Sequence, residues 1–357
     1  MIRRPPSTFL DRGVAAAAFA VALSVTSFAL SPAPVATAQM SEPSFWRTVR
    51  EPDYARAMHL MMQGMYLFRE YGVAQRERER ANIPASTPGP HEINAILEGA
   101  IRRFALAHRL APTEPQILFF YALATSLWEE PGRGGVTRRD DETLALFTQL
   151  RALDPGFEAM EVAFSLGIVH TRGRDFEAAA QEYHRAIARA LSPDAVHWAN
   201  LAEVTMLGGD VEAAVGYYER AIEIAGVDGT DTVLALWGLA VALDRLGEHR
   251  RAIEITAEAL SEGGGTMDPL GANGVFFEPA YEIHWYEGLG HAALASQAQS
   301  AEERSRAEEA SVAAFRLFLA RGGEESPWAA LARRHVSEAA ARGDGSRRAR
   351  RRRRPGR

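Results

Sequence analysis

The chain has 357 residues, a formal net charge of −6 and no cysteine, and all 40 of its Lys-plus-Arg positions are arginine. Without lysine there is no phosphate-cradling Gly-x-x-x-x-Gly-Lys loop, and without cysteine there is no disulfide, no thiolate nucleophile and no lipid attachment through a thiol. With 47% hydrophobic residues the chain can build a packed core, while a mean hydropathy of −0.18 and the lack of a second long apolar run argue against a membrane-embedded body.

At the N-terminus, Arg3, Arg4 and Arg12 flank an apolar run from Gly13 to Leu30. Pro32 and Pro34 then precede Ala36-Thr37-Ala38, a small-x-small cleavage signature. Residues 1–38 are therefore expected to be an export signal, with the mature chain starting at Gln39 in the periplasm or outside the cell. The alternative is an uncleaved N-terminal anchor. All-arginine basicity fits a GC-rich coding bias, and together with the export signal it points to a bacterial envelope.

Residues 39–342 read as one all-α array. A helix from about Pro52 to Tyr71 opens it. Ala100-Ile101, Ala107, Leu110 and Pro112 mark a second helix with proline just past its end. Tyr121-Ala122 and then Leu150, Leu153, Asp154 and Pro155 give the next unit, its hairpin swollen by a loop from Pro131 to Asp141.

Three self-similar copies follow, at about 160–192, 195–225 and 233–261. Leu166-Gly167 is followed by Ala179, Tyr183 and Ala186; Leu201-Ala202 by Ala214, Tyr218 and Ala221; Leu239-Ala240 by Ala252 and Ala259. In each copy the first alanine comes 13 residues after the leucine, and the copies are offset by 35 and 38 residues. That period predicts stacked helix pairs, each too small to bury its apolar face alone. Large residues fill the space between two antiparallel helices, and small ones let the backbones approach. Gly209-Asp210 and Gly247-Glu248 fall between the paired helices, where glycine suits a left-handed turn and the acid suits the next helix N-terminus. Trp285-Tyr286, Leu289-Gly290 and the segment around Phe315, Leu317 and Leu319 suggest a last repeat. Ser326-Pro327-Trp328 opens a capping helix to about Ala341, for roughly six repeats plus a cap.

The stretch Trp198-Ala-Asn-Leu-Ala through Gly209-Asp-Val-Glu-Ala-Ala to Tyr217-Tyr-Glu-Arg-Ala-Ile resembles the tetratricopeptide repeat (TPR) family almost position for position. The resemblance implies a right-handed superhelical solenoid whose first helices line a concave partner-binding surface. Carried onto this chain, the family's pattern implies a groove-facing set of Glu161, Phe164, Thr171 and Arg172, then Ala199, Glu203 and Met206, then Trp237, Asp244 and Arg245, and last His284, Glu287 and His291. The family's carboxylate clamp relies on lysines and asparagines at such positions. This chain has no lysine and departs from that subclass.

Catalytic motifs are absent: no Gly-x-Ser-x-Gly, no His-Glu-x-x-His, and glycine runs (Gly134-Gly135, Gly263-Gly264-Gly265) without a strand-glycine-helix context. No enzyme activity and no cofactor are assigned. Met58, Met61, Met62 and Met65, with His59 alongside, have soft-metal donor types but also the spacing of a core stripe, and core is the reading taken. His284 and His291 lie two helical turns apart with Glu287 between, rather distant to chelate one ion, so no metal is assigned.

An irregular stretch from Gly263 to Tyr281 carries Phe276 and Phe277, which either flap over the groove's edge or plug a gap between two repeats; the plug is preferred, because exposed Phe-Phe is an aggregation hazard. Beyond it, residues 343–357 form an arginine-rich tail expected to be disordered. Residues 1–38 contribute +2 and the tail from Arg347 contributes +8, which leaves −16 on residues 39–346. The reading is a non-catalytic binding scaffold of the bacterial envelope holding a neutral or basic protein segment in a concave groove, with no specific nucleic acid. The alternative is a binder of anionic membrane surfaces or polyanions through Arg347–Arg357, with the solenoid as a rigid spacer.

Overall fold

A computed structural model describes residues 47–81, 91–132, 135–226, 230–271 and 275–338. The expected export signal (1–38), the arginine-rich tail (343–357) and the last residues of the expected cap lie outside the described residues.

The described residues form six antiparallel helix pairs: α1 (Pro52–Arg80) with α2 (His91–Leu110), α3 (Pro115–Ser126) with α4 (Asp140–Leu153), α5 (Ala159–Arg172) with α6 (Phe176–Arg189), α7 (Ala195–Leu207) with α8 (Val211–Ala225), α9 (Thr230–Arg245) with α10 (His249–Glu262), and α11 (Ile283–Gln297) with α12 (Ala301–Ala320). Helix α13, residues 329–338, closes the stack. Each pair packs on the next in chain order, so the protein is a helical solenoid. Among the described residues, no helix is long and apolar enough to cross a membrane.

The turns inside the third, fourth and fifth hairpins share one device. Arg174, Gly209 and Gly247 take positive φ values of 60°, 103° and 89°. In each case the next residue's N–H reaches back to a carbonyl of the first helix: Asp175 to His170, Asp210 to Thr205, Glu248 to Leu243, at 3.0, 3.1 and 2.9 Å. This left-handed closure satisfies carbonyls that the helix end would otherwise orphan. Asp175 and Asp210 then cap the second helices, accepting from Ala178 N and Ala213 N.

Small residues sit where helices touch most closely. A Cβ on Gly167 would lie 2.7 Å from the Tyr183 ring, one on Gly64 2.7 Å from Phe104, and one on Gly288 2.7 Å from Phe315. Between hairpins, a Cβ on Gly238 would fall 2.2 Å from Tyr218. Ala179, Ala186, Ala214, Ala221, Ala252 and Ala259 are all fully buried. The spacing of alanines and aromatics is thus a pattern of size across helix contacts.

Two layers result. First helices lie beside one another (α1 with α3, α3 with α5, α7 with α9, α9 with α11), while the second helices α6, α8 and α10 keep exposed polar faces. The inner layer is buried on nearly every side, and residues 232–245 of α9 are buried without interruption. A helix apolar all round belongs to an interior.

Three details differ from the sequence reading. The long loop in the second hairpin contains an antiparallel β-ribbon, β1 (Glu129–Gly132) with β2 (Gly135–Arg138), registered Glu129 to Arg138. The methionine stripe points two ways: Met61 is buried and Met62 is exposed. The opening helix runs to Arg80, nine residues beyond Tyr71.

Candidate partner-binding recess

The inner face between the fourth and sixth hairpins forms a recess. Its walls come from Ala199 and Glu203 of α7, Leu234, Trp237 and Gly238 of α9, and Tyr218 and Tyr286 from α8 and α11. Val275, Phe276 and Phe277, irregular residues of the connection leading to α11, complete its lining. The cavity they enclose is small, about 30 Å³. The chain's own segment forms part of its wall.

That segment is tied down on both sides. The Phe276 ring packs with the first half of the core, and the Arg172 guanidinium lies over it, 5.6 Å from its centroid. Phe277 packs with the second half and meets Tyr286 edge to face at 5.0 Å. Tyr281 meets Phe318 at 5.3 Å, and Glu282 pairs with the buried Arg245. Burial pushes the Glu278 carboxyl up, while Arg138, Arg174 and Arg172 act in the opposite direction. The segment therefore bridges the third hairpin and the sixth, and the filling of a gap between repeats is its observed place.

Glu203 is the charged group of the recess. Burial pushes its carboxyl from the ordinary 4.5 to about 7; Glu282 adds to the rise and Arg245 opposes it. A carboxyl titrating there is neutral or anionic according to small changes around neutral pH. Trp237 Nε1, also buried, has no hydrogen-bond partner among the described residues.

Most of the side chains assigned to an open groove surface are inside the protein, and the assignment is corrected for them. Phe164 is buried against Tyr183 and His197. Thr171 is buried, its hydroxyl donating to Gly167 O at 2.8 Å. Met206 is buried in the core of the second half. Trp237 is 0% exposed, its ring against α11 where a Cβ on Gly290 would come within 3.0 Å. Arg245 is buried between Trp285 and Trp328. Asp244 is buried and accepts from Trp285 Nε1 at 3.0 Å; burial alone would raise its carboxyl, but hydrogen bonds with His249 and His335 outweigh this and hold it at about 2.

The physical reason is common to all. A first helix contacts its own partner, the preceding second helix and neighbouring first helices, and here the 275–282 segment covers part of what remains. Arg172 is nearly buried too, donating to Ser126 O at 3.1 Å and Asp140 Oδ1 at 3.3 Å. Ala199 and Glu203 line the recess. Glu161 is half-buried, its carboxyl raised by burial. His284 is bound to Glu287 at 2.7 Å, and His291 is half-buried with its pKa pushed down by burial. Tyr218, Tyr286 and Val275 were missed; the Phe276-Phe277 pair was the legible signal of this site.

A larger cavity of about 220 Å³ lies between α4, α5 and α6, lined by Phe157, Val162 and three arginines. Arg151 and Arg185 there already pair with Glu182, and none of the assigned groove residues lines it.

The sequence profile of the tetratricopeptide repeat matches residues 194–261, helices α7 to α10. No curated protein matches the chain. Among solved structures, it is similar to MamA 41-end from Desulfovibrio magneticus RS-1, with 15% identity over 50% of this chain and 94% of that one and a TM-score of 0.41. It is also similar to YrrB, described as a TPR protein with an unusual peptide-binding site, with 15% identity over 61% and 96% and a TM-score of 0.39. Against the APC/C hetero-tetramer Cut9-Hcn1 the identity is 13% over 89% and 48%, with a TM-score of 0.45.

Proposed function

This chain is a tetratricopeptide-repeat protein, and on that premise we propose that it is a non-catalytic scaffold for protein–protein interaction, holding an extended partner segment in the inner-face recess. The observation that carries the reading is that the irregular stretch Val275-Phe276-Phe277 lines the recess, with Phe276 under Arg172 and Phe277 against Tyr286. A recess that accommodates this stretch offers a partner the same contacts: two adjacent aromatics, one toward Arg172 and one toward Tyr286. A partner enters by displacing the segment, so its affinity is reduced by the cost of that displacement.

Glu203 sets the charge preference. With the net −16 of residues 39–346 around it, it favours a neutral or basic partner segment, chiefly through orientation and rate of encounter. The export signature read in residues 1–38 supports the bacterial envelope as the setting of this activity.

Peptide display against the full chain tests the proposal. Selected sequences should carry paired aromatics with neutral or basic neighbours, and Phe276→Ala/Phe277→Ala should raise their affinity. Selected peptides that lack aromatics, or whose binding ignores both the double variant and Glu203→Gln, would contradict it.

A further inference from the structure

Asp244, His249 and His335 converge from three elements. Asp244 is in the last turn of α9, His249 opens α10, and His335 comes from α13, 91 residues after Asp244. Asp244 Oδ1 is 2.7 Å from His249 Nδ1, and Oδ2 is 2.9 Å from His335 Nε2. One donor atom from each residue lies within 4.8 Å of the other two, a set of three found nowhere else among the described residues. Asp244 and His335 are buried, while the His249 side chain is 32% exposed at the edge of the cluster.

We propose that these three residues hold a divalent cation of the zinc class and so pin α13 onto the fifth hairpin. Two imidazoles and a carboxylate are ligands for Zn²⁺ and related first-row ions. Charge points the same way. The Asp244 carboxylate is fully buried, yet the neighbouring arginine, Arg245, is spent on Glu282. The two imidazole rings stand 4.7 Å apart, too close for both to be cationic without repulsion. A divalent ion would offset the carboxylate with both rings neutral.

Bonds of about 2.0–2.2 Å at tetrahedral angles place ligand atoms roughly 3.3 Å apart, so the Asp–His contacts, which now use opposite carboxylate oxygens, would open by about half an ångström, and ligand atoms now up to 4.8 Å apart would close around the ion. Trp285 Nε1 already donates to Asp244 Oδ2 at 3.0 Å, the kind of second hydrogen bond that holds a metal-binding carboxylate in place. The fourth position would face the solvent-exposed side, beside His249.

The test is a titration of chelator-stripped, untagged full chain with Co²⁺ and then Zn²⁺, followed by visible absorption and thermal melting. One equivalent of Co²⁺ should give d–d bands of an N/O site, Zn²⁺ should bleach them, and the melting temperature should rise with metal. His249→Ala should abolish the one-equivalent bands while keeping its helical circular dichroism in chelator. Trp285→Phe should weaken binding by about 10-fold or more. A double variant His284→Ala/His291→Ala should bind as the wild type does. No saturable binding at one equivalent, or equal bands in His249→Ala and the wild type, would overturn the proposal and leave the cluster a hydrogen-bonded clasp. His249 is the variant of choice because it is the partly exposed member of the cluster, whereas loss of the buried His335 would confound binding with unfolding.

Discussion

The ring of Phe276 lies under the guanidinium of Arg172, 5.6 Å from its central carbon, and this contact joins the segment before α11 to the third hairpin across the inner face. Such a pair contributes about 0.5–2 kcal/mol, depending on how far it is desolvated. Phe276→Ala should therefore loosen the segment more than it harms the solenoid. Amide exchange of residues 275–282 should accelerate at least about 10-fold, with helices α7 to α10 unchanged. Uniform acceleration over both would mean that the segment is part of the cooperative core.

Trp237→Ala should lower stability by about 3–5 kcal/mol, the usual range for deleting a fully buried tryptophan. Denaturant unfolding measures this directly. A shift below about 1 kcal/mol would show that the indole is not packed against α11.

Gly238→Ala should cost about 1–3 kcal/mol, because the new methyl would stand 2.2 Å from the Tyr218 ring, which is itself buried. The double variant Gly238→Ala/Tyr218→Ala should lose less than the sum of the two single losses. Additive losses in the double-mutant cycle would contradict the contact.

Arg174→Gly should stabilise the third hairpin. Arg174 holds φ at 60° on the surface, where Gly209 and Gly247 occupy the matching turns. The left-handed conformation costs an L-residue about 1–2 kcal/mol, against about 0.5–1 for the extra freedom of glycine in the unfolded chain. A net gain of about 0.5–1 kcal/mol should appear as a higher urea midpoint, and a lower midpoint would show that the Arg174 side chain matters more than its backbone.

Glu203 gives the protein a pH dependence of definite sign. Its carboxyl is raised from 4.5 to about 7 in the folded chain, so the folded state holds that proton more tightly than the unfolded state. This contribution to stability is fully present below about pH 4.5 and is lost as pH rises through about 7. Glu203→Gln should remove that slope from a plot of unfolding free energy against pH. An unchanged slope between pH 5 and 7.5 would mean that Glu203 is not desolvated.

Much of the fold was legible because it is specified by size at fixed spacing. Leu201, Ala214, Tyr218 and Ala221 announce a hairpin within one window of sequence, and the glycine turns announce its bend. The burial of the first helices was not legible, since it depends on how tightly neighbouring hairpins stack and on a segment that folds back over them. Trp237 and Arg245 read as groove residues by repeat position but are enclosed by α11 and the residues around it. The β-ribbon of the second hairpin looked like a glycine-rich loop, because four-residue strands leave almost no periodicity. The meeting of His335 with Asp244 had no local signal at all, as it joins residues 91 positions apart.

The most direct test of the inner-face recess uses the chain's own segment in trans. A fluorescent peptide with the sequence of residues 271–282 is titrated with the wild-type chain and with the Phe276→Ala/Phe277→Ala variant, and its anisotropy is followed. If the recess is a binding site occupied by its own segment, the double variant should bind the peptide saturably and at least about 10-fold more tightly than the wild type. The same peptide with both phenylalanines replaced by alanine should not bind. Equal affinity of the two proteins for the native peptide, or no binding by the double variant while its helices remain folded, would contradict the account.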